Sequence, residues 1–202
     1  MSGHNKFPIF KKSRSLDFSL LENKKEFNRR KLNPNVRKKR KKQRSVFFFQ
    51  NQEKQKLRLL YGLKEKQLRN LFVKLKTKKN IDEFLLMNLE SRLDNVVFRS
   101  KIVETRRAAR KLVNDGHLLV GGRKRSNIGY RLKPNDIISF KKEVIGKKSI
   151  KEKLKQITKI PKFISINEDN ATINFLSFPS SFKELNININ LSLVKEYYSK
   201  RI

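Results

Sequence analysis

Apolar residues recur at helical spacing from about residue 52 onward. Leu68, Leu71, Phe72 and Leu75 fall at positions i, i+3, i+4 and i+7, with lysines on the opposite side. Such a stripe is typical of a helix that buries one face against a core. We therefore assign these four residues to packing and expect no chemistry from them.

Capping residues mark the ends of two further helices. Gly62 follows Tyr61 and is suited to the left-handed conformation that closes a helix, so one helix should end at Tyr61. Asn80 is suited to begin another, with Glu83 reaching back as in a capping box. The buried face of that helix is predicted to consist of Ile81, Phe84 and Leu85.

Residues 91–142 show a second pattern, in which two short helices precede alternating positions. Leu93, Val96 and Val97 give the first helix an apolar face. Thr105 is a good N-cap for the second helix, Arg106–Asn114. The side chains expected to face inward on this second helix are Ala108, Ala109, Leu112 and Val113.

The alternating positions predict a small antiparallel sheet. Residues 117–120 form a strand, Gly121-Gly122 a two-residue hairpin turn, and residues 123–125 the start of the return strand. Residues 134–136 make a further turn before a strand at 137–140.

These elements predict an α+β fold. We expect a basic N-terminal arm at 1–49, a helical domain at 50–90, and a module of two helices packed on a short antiparallel sheet at 91–150. Residues 151–202 should supply strands and a helix that pack back on the helical domain.

Charge then narrows the class of partner. The chain has 51 Lys and Arg against 18 Asp and Glu, a net charge of +33. Such an excess favours a polyanion, and nucleic acid fits best because each neutralised phosphate releases counterions. A membrane surface would need one basic amphipathic helix rather than charge along the whole chain. No apolar run is much longer than residues 46–49, so no membrane span is predicted.

Two segments contain most of the positive charge: residues 1–49 have a net +13 and residues 91–148 a net +11. The first includes a dense basic run at residues 37–44, which we expect to order on RNA, with a solvated tail as the alternative. Phe47, Phe48 and Phe49 follow this run and are predicted to pack in the core, with stacking on RNA bases as the alternative.

The helix Arg106–Asn114 concentrates charge on one side. Arg106, Arg107, Arg110 and Lys111 lie there with no acidic residue among them, which costs repulsion unless phosphates compensate. This pattern predicts a face that contacts RNA.

Candidate chemistry is sparse. The chain has no cysteine and two histidines, so neither a thiolate site nor a histidine metal site is expected. Asp94 is the one carboxylate that we consider as a candidate catalyst, and we expect it to have a structural role beside Arg92 instead. No glycine-rich phosphate loop or nucleophile with a neighbouring base is present, so we predict no enzyme activity, metal or cofactor.

The motifs RLDNVVFR and TRRAARKLV, followed by a hairpin with Val120, Gly121, Gly122 and Arg123, closely resemble the RNA-binding module of the small-subunit ribosomal S-four family. This module also occurs in RNA-modifying enzymes and RNA chaperones, which remain the alternative. The flanks favour the ribosomal family: residues 53–72 resemble its upstream helices, and residues 161–164 and 189–200 resemble its closing stretch. The cysteines that bind zinc in some members are absent.

The resemblance implies an early-binding assembly protein that contacts the 5′ domain of small-subunit rRNA and influences decoding fidelity through protein S-five. Other small-subunit proteins, and mRNA near its entry side, are further implied partners. The residues predicted to contact RNA are Arg37, Lys38, Lys39, Arg40, Lys41, Lys42, Arg44, Lys54, Lys56, Arg58, Arg92, Arg106, Arg107, Arg110, Lys111, His117, Arg123, Lys124 and Arg125. The residues predicted to form a protein interface are Leu191, Val194, Tyr197 and Tyr198. A DNA-compacting protein is a second alternative.

The amino-acid composition indicates the kind of genome that encodes the chain. Lys, Asn, Ile and Phe, which have A/T-rich codons, are abundant, while Ala, Gly and Pro are scarce. This bias indicates an AT-rich genome, and we expect a ribosome in the plastid, with a mitochondrion or an AT-rich bacterium as alternatives.

Overall fold

The computed structural model describes residues 8–22, 45–141, 160–167, 170–179, 181–182 and 184–201. The chain divides into two compact units. The first comprises the described residues up to 77 together with those from 188 to the end, and the second comprises those from 78 to 187.

The first unit is helical. The helices among its described residues are α1 (Ile9–Leu16), α2 (Val46–Leu60), α3 (Glu65–Leu75) and α7 (Leu191–Ser199). Helix α1 and the first turn of α2 therefore fall within the segment expected to be an arm, where high charge obscured the helical pattern.

The caps of α2 have simple causes. The hydroxyl of Ser45 accepts a hydrogen bond from the Phe48 amide at 3.3 Å, which satisfies one of the free donors at the helix start. The helix ends at Leu60, with Tyr61 as C-cap and Gly62 at φ 53°. The predicted glycine cap is confirmed.

Two packing contacts bring the helices of the first unit together. The predicted stripe of α3 is buried along its whole length, so that interpretation is confirmed. Helix α7 packs along α2, where the Gln50 amide donates to the Glu196 carboxylate at 2.9 Å.

Within its described residues, the second unit combines three helices with one sheet. The helices are α4 (Ile81–Glu90), α5 (Leu93–Arg99) and α6 (Arg106–Asn114), so α6 has the predicted bounds. The strands are β1 (Leu118–Val120), β2 (Arg123–Lys124), β3 (Asp136–Phe140), β4 (Ile164–Asn167) and β5 (Thr172–Phe175).

Helix α4 begins differently from the prediction. The Asn80 side chain does not cap the helix; its amide donates to the Glu83 carboxylate at 3.2 Å instead. The buried face is centred on Leu85, Leu86 and Leu89, whereas Ile81 and Phe84 are half-buried. The predicted capping box is therefore wrong, and the buried face of α4 is shifted by about one residue from the predicted face.

The sheet is antiparallel throughout and has the order β2-β1-β3-β5-β4. The hairpin between β1 and β2 turns through Gly121 and Gly122, at φ 55° and 75°, which confirms the predicted turn. In the centre Ile138 lies opposite both Val120 and Ile173, and all three are buried.

This topology corrects the expected domain plan. Strands β4 and β5 extend the sheet of the second unit, because the inward residues of β5 complete the apolar face begun by β3. Among the described elements after residue 151, α7 returns to the first unit whereas β4 and β5 do not, and α4 belongs to the second unit. In the part of the chain that the structure describes, no helix is long and apolar enough to span a bilayer.

Candidate RNA-binding face

Helix α6 presents the cations of the candidate site. The Thr105 hydroxyl accepts from the Ala108 amide at 3.2 Å, as expected for the N-cap. Ala109 and Val113 are buried, but Ala108 is exposed and Leu112 half-buried. The inward face is thus narrower than predicted, and more of the helix surface faces solvent.

Arg110 has an acidic partner that the sequence pattern did not reveal. Its Nε lies 2.7 Å from Oδ2 of Asp94, whose side chain is 3% exposed. Arg92 also donates to this carboxylate, from Nε at 3.1 Å and Nη2 at 3.0 Å. The structural role of Asp94 beside Arg92 is confirmed, and Arg110 has an acidic partner on α5 although no acidic residue lies among the cations of α6.

Arg106 is held by the next residue of the same motif. Its Nε donates to Oδ1 of Asn95 at 2.9 Å, and its guanidinium lies 4.3 Å from the centre of the Phe98 ring. Asp94 and Asn95, adjacent in α5, thus orient two arginines of α6. The partners come from a different helix, which is why periodicity along α6 alone did not show them.

Arg107 and Lys111 occupy the exposed side of α6. Partial burial lowers the pKa of Arg107, and the positive charge of Arg110 lowers that pKa further. Because like charges crowd here, an anion placed against α6 would relieve repulsion as well as gain attraction.

The β1–β2 hairpin extends the basic surface. Arg123 and Lys124 are exposed, while Arg125 is half-buried with its guanidinium 4.7 Å from the centre of the Tyr130 ring. Lys124 passes so close to Gly116, at φ 70°, that a Cβ on this glycine would collide with the lysine side chain. Gly116 therefore leaves room for a cation of the hairpin.

His117 lies between α6 and β1. Its amide donates to the Leu112 carbonyl at 3.1 Å, and its carbonyl accepts from the Lys141 amide at 3.0 Å. The side chain is half-buried, and the strand begins one residue after the predicted start.

Lys54 was predicted to contact RNA, but it points into the first unit. Its side chain is 5% exposed, with Nζ 2.9 Å from Oε1 of Glu65 and 3.1 Å from the Tyr197 hydroxyl. The same ammonium lies 4.3 Å from the centre of the Tyr197 ring. A lysine enclosed by its own chain is not available to phosphate, so the structure contradicts this assignment.

The other two predicted cations of α2 are also engaged within the chain. Lys56 pairs with Glu53 at 2.6 Å, and Arg58 donates to the Gln55 side chain at 3.0 Å. Helical spacing allows these pairs, because residues three apart are neighbours on a helix surface. Arg58 also lies 3.7 Å from Glu65.

The predicted protein interface on α7 is used inside the first unit. Val194, Tyr197 and Tyr198 are buried, and Leu191 is half-buried. The reason is that α7 packs its apolar side on α2 and α3, so these side chains form core rather than an external surface.

Tyr198 illustrates this packing. Its ring stacks on Phe72 with centroids 4.4 Å apart, and its hydroxyl donates to Glu65 at 3.1 Å. Burial raises the pKa of Tyr198 strongly, and the carboxylate of Glu65 raises that pKa further.

Phe47, Phe48 and Phe49 are exposed, contrary to the predicted core packing. They occupy three successive positions in the first turn of α2, and successive positions on a helix point in directions about 100° apart, so one core face cannot enclose them all.

Helix α3 has a basic face that was not predicted to contact RNA. Lys66, Arg69 and Lys74 are exposed on the side opposite its buried stripe, and the exposed Lys76 follows at the helix end. The sequence signal for this basic face is the amphipathic pattern of α3, which also identified its buried residues.

The predicted contacts Arg37, Lys38, Lys39, Arg40, Lys41, Lys42 and Arg44 lie outside the described residues. Among the residues that are described, no group of three or more His, Cys, Asp or Glu is placed to bind a metal.

Comparison with known proteins agrees with this arrangement. The family model "S4 domain" matches residues 91–138, and "Ribosomal protein S4/S9 N-terminal domain" matches residues 4–94. Small ribosomal subunit protein uS4 of Mesoplasma florum is 38% identical over 200 residues, with 96% of both chains covered. The chain belongs to the uS4 family.

Other uS4 proteins match over similar lengths. That of Mesomycoplasma hyopneumoniae strain 232 is 39% identical, covering 95% of this chain and 97% of that protein. The uS4 protein of an aster yellows witches'-broom phytoplasma is 37% identical, covering 95% of this chain and 96% of that protein. The uS4 matches thus extend across both units, not only across the module with α5, α6 and the hairpin.

Proposed function

We propose that this protein is a structural constituent of the small ribosomal subunit that binds small-subunit rRNA through α6 and the β1–β2 hairpin. The observation that carries the proposal is the cationic surface of α6, where Asp94 and Asn95 orient Arg110 and Arg106. Membership of the uS4 family supports the ribosomal assignment.

The mechanism is positional. Arg107 and Lys111 are exposed beside the two oriented arginines, and Arg123 and Lys124 extend the surface onto the hairpin. Such a surface contacts phosphates and 2′-hydroxyls of folded RNA, so that shape rather than base edges provides recognition. Because the arginines are held before RNA arrives, less side-chain entropy is lost on binding.

Finer assignments follow from the family resemblance. We propose early binding to the 5′ domain of the rRNA, contact with protein S-five that affects decoding fidelity, and proximity to mRNA on its entry side. No catalytic role is proposed. Since Val194, Tyr197 and Tyr198 are buried in the first unit, contact with S-five is assigned to other residues.

We also propose a plastid ribosome as the location, supported by the AT-biased residue usage. A bacterial ribosome is the alternative, favoured by relatives from mycoplasmas and a phytoplasma. Fractionation of source cells, with immunodetection of the protein in purified plastids, separates the two.

The test of the main proposal combines sedimentation with binding. The tagged protein should travel with small subunits on a gradient at moderately high salt; a folded, soluble protein that stays at the top of the gradient would contradict the ribosomal assignment. Replacing Arg106, Arg107 and Arg110 together with Ala should weaken rRNA binding and reduce the salt slope by roughly 2 to 3, about one for each lost phosphate contact.

Lys54→Met is a matched control, because this cation is enclosed in the first unit. The salt slope of this folded variant should equal that of the wild type. An unchanged slope in the triple variant would place the binding face elsewhere. Equal affinity for duplex DNA and rRNA would instead support a DNA-compacting protein.

A further inference from the structure

The exposed aromatic turn of α2 borders a groove that the rRNA-binding face does not include. The groove has a volume of about 310 Å³ and is lined by Val46, Phe47, Gln50, Tyr197, Lys200 and Arg201. All of these residues belong to the first unit, whereas α6 and the hairpin belong to the second.

Flat rings and cations combine in this groove. Phe47 stacks on Tyr197 with centroids 5.8 Å apart and an interplanar angle of 22°. The Arg201 guanidinium lies 4.8 Å from the centre of the Phe47 ring and 4.6 Å from that of Tyr197. Its Nη1 donates to the Tyr197 hydroxyl at 2.9 Å, which fixes the guanidinium beside both rings.

The side chain of Tyr197, on which the Phe47 ring stacks, is held in place by contacts inside the first unit. The ring is largely buried, and Lys54 contacts its hydroxyl from the interior side. Phe47 is 47% exposed, and part of its surface is therefore open to a ligand. An exposed phenylalanine on a rigid support loses little entropy when a second flat group stacks on it.

The composition of the lining selects the chemistry of the occupant. The lining includes two cations, Lys200 and Arg201, and no carboxylate; the nearby carboxylate of Glu196 accepts a hydrogen bond from Gln50 of the lining. An aromatic ring beside a cation suits a nucleotide, because the base offers a flat π surface and the phosphate offers a negative charge. A volume near 300 Å³ is at the lower end for ligand pockets and suits a single small group.

We propose that this groove binds one unstacked base of single-stranded RNA, with the base against Phe47 and its phosphate beside Lys200 and Arg201. The identification of the strand as rRNA rests on the proposed function. The groove would add a base-stacking contact to a protein whose other candidate contacts are with phosphates.

The test uses the full-length protein with two single-stranded probes: a short oligoadenylate, and an abasic ribose-phosphate oligomer of equal length. Both present the same phosphates, so the ratio of their dissociation constants isolates the contribution of the bases. The wild type should prefer the oligoadenylate by about 5- to 150-fold, the range expected from one stacked base.

Phe47→Leu keeps an apolar side chain but removes the ring, and it should bring this ratio close to one. Phe48→Leu is the matched control, since Phe48 is similarly exposed, at 42%, on the next position of α2 but does not line the groove. Its ratio should equal that of the wild type. Arg201→Met, at an exposed position, removes a proposed phosphate contact and should weaken the binding of both probes. It provides a second test if Phe47→Leu fails to fold, since unchanged binding of both probes by this variant would contradict the proposal.

Three further results would overturn the proposal: equal binding of both probes by the wild type, an equal fall for the two phenylalanine variants, or a wild-type ratio in folded Phe47→Leu. Binding of the same preparations to small-subunit rRNA is measured in parallel. Wild-type protein that binds rRNA but does not prefer the oligoadenylate refutes the groove alone, whereas wild-type protein that does not bind rRNA refutes the proposed function.

Discussion

Asp94→Asn tests whether the carboxylate between α5 and α6 organises the basic face. The change keeps the volume of the side chain and one acceptor oxygen but removes the charge that Arg92 and Arg110 share. The Asp94 side chain is 3% exposed, so the loss is not compensated by water around the carboxylate itself.

The magnitude follows from the burial of the partners. Removing one member of a fully buried ion pair costs about 3–5 kcal/mol, since the other charge is left without compensation. Here both arginine side chains are 13% exposed and regain some hydration. We therefore expect a loss of about 2–3 kcal/mol in the free energy of unfolding, below the range for a fully buried pair.

Urea denaturation followed by circular dichroism measures this loss, as a lower midpoint at an unchanged m-value. Asp115→Asn is the control, because Asp115 is an exposed C-cap of α6 and its replacement should change stability by less than about 0.5 kcal/mol. A double-mutant cycle with Arg110→Gln should give a coupling energy of about 1–3 kcal/mol. A loss below about 0.5 kcal/mol for Asp94→Asn, or a coupling energy near zero, would refute the reasoning.

Three further results are expected. Lys54→Met should lower the stability of the first unit by about 1–3 kcal/mol in urea denaturation, because Glu65 loses the nearer of its two cations and the Tyr197 hydroxyl loses a donor; an unchanged midpoint would contradict the internal role of this lysine. Gly116→Ala should cost about 1–2 kcal/mol by the same measurement, because φ is positive and the new Cβ meets Lys124; unchanged stability would show that the lysine moves aside freely. Tyr198 has a pKa raised in the folded state, so its contribution is complete below the unfolded value of about pH 10 and is lost as pH rises through the folded pKa. Absorbance titration at alkaline pH should therefore show a tyrosine that ionises above its ordinary range and is missing in Tyr198→Phe; an identical titration of the variant would contradict this assignment.

Local patterns were sufficient for much of the second unit. Thr105 and the apolar positions of α6 predicted its bounds, and Gly121-Gly122 predicted the hairpin, because caps and tight turns depend on the residues that form them. The buried stripe of α3 followed from helical spacing alone.

Contacts between distant segments were not accessible in this way. Arg110 and Lys54 are both cations on amphipathic helices, and nothing in their own helices shows that Asp94 and Glu65 meet them. The exposure of Phe47 was not predicted, because phenylalanine is usually buried. This one lies at the surface because of its position in the first turn of α2.

The chain leaves the first unit after residue 77 and returns to it only at residue 188, so the second unit is an insertion within the first. The second unit is continuous in sequence, so it can fold during synthesis before α7 has been made. The apolar faces of α2 and α3 that pack against α7 stay uncovered until α7 has been made. Non-local pairing of this kind is slow to form and exposes hydrophobic surface meanwhile. The order of folding is therefore expected to run from the later-encoded module back to the helices encoded before it.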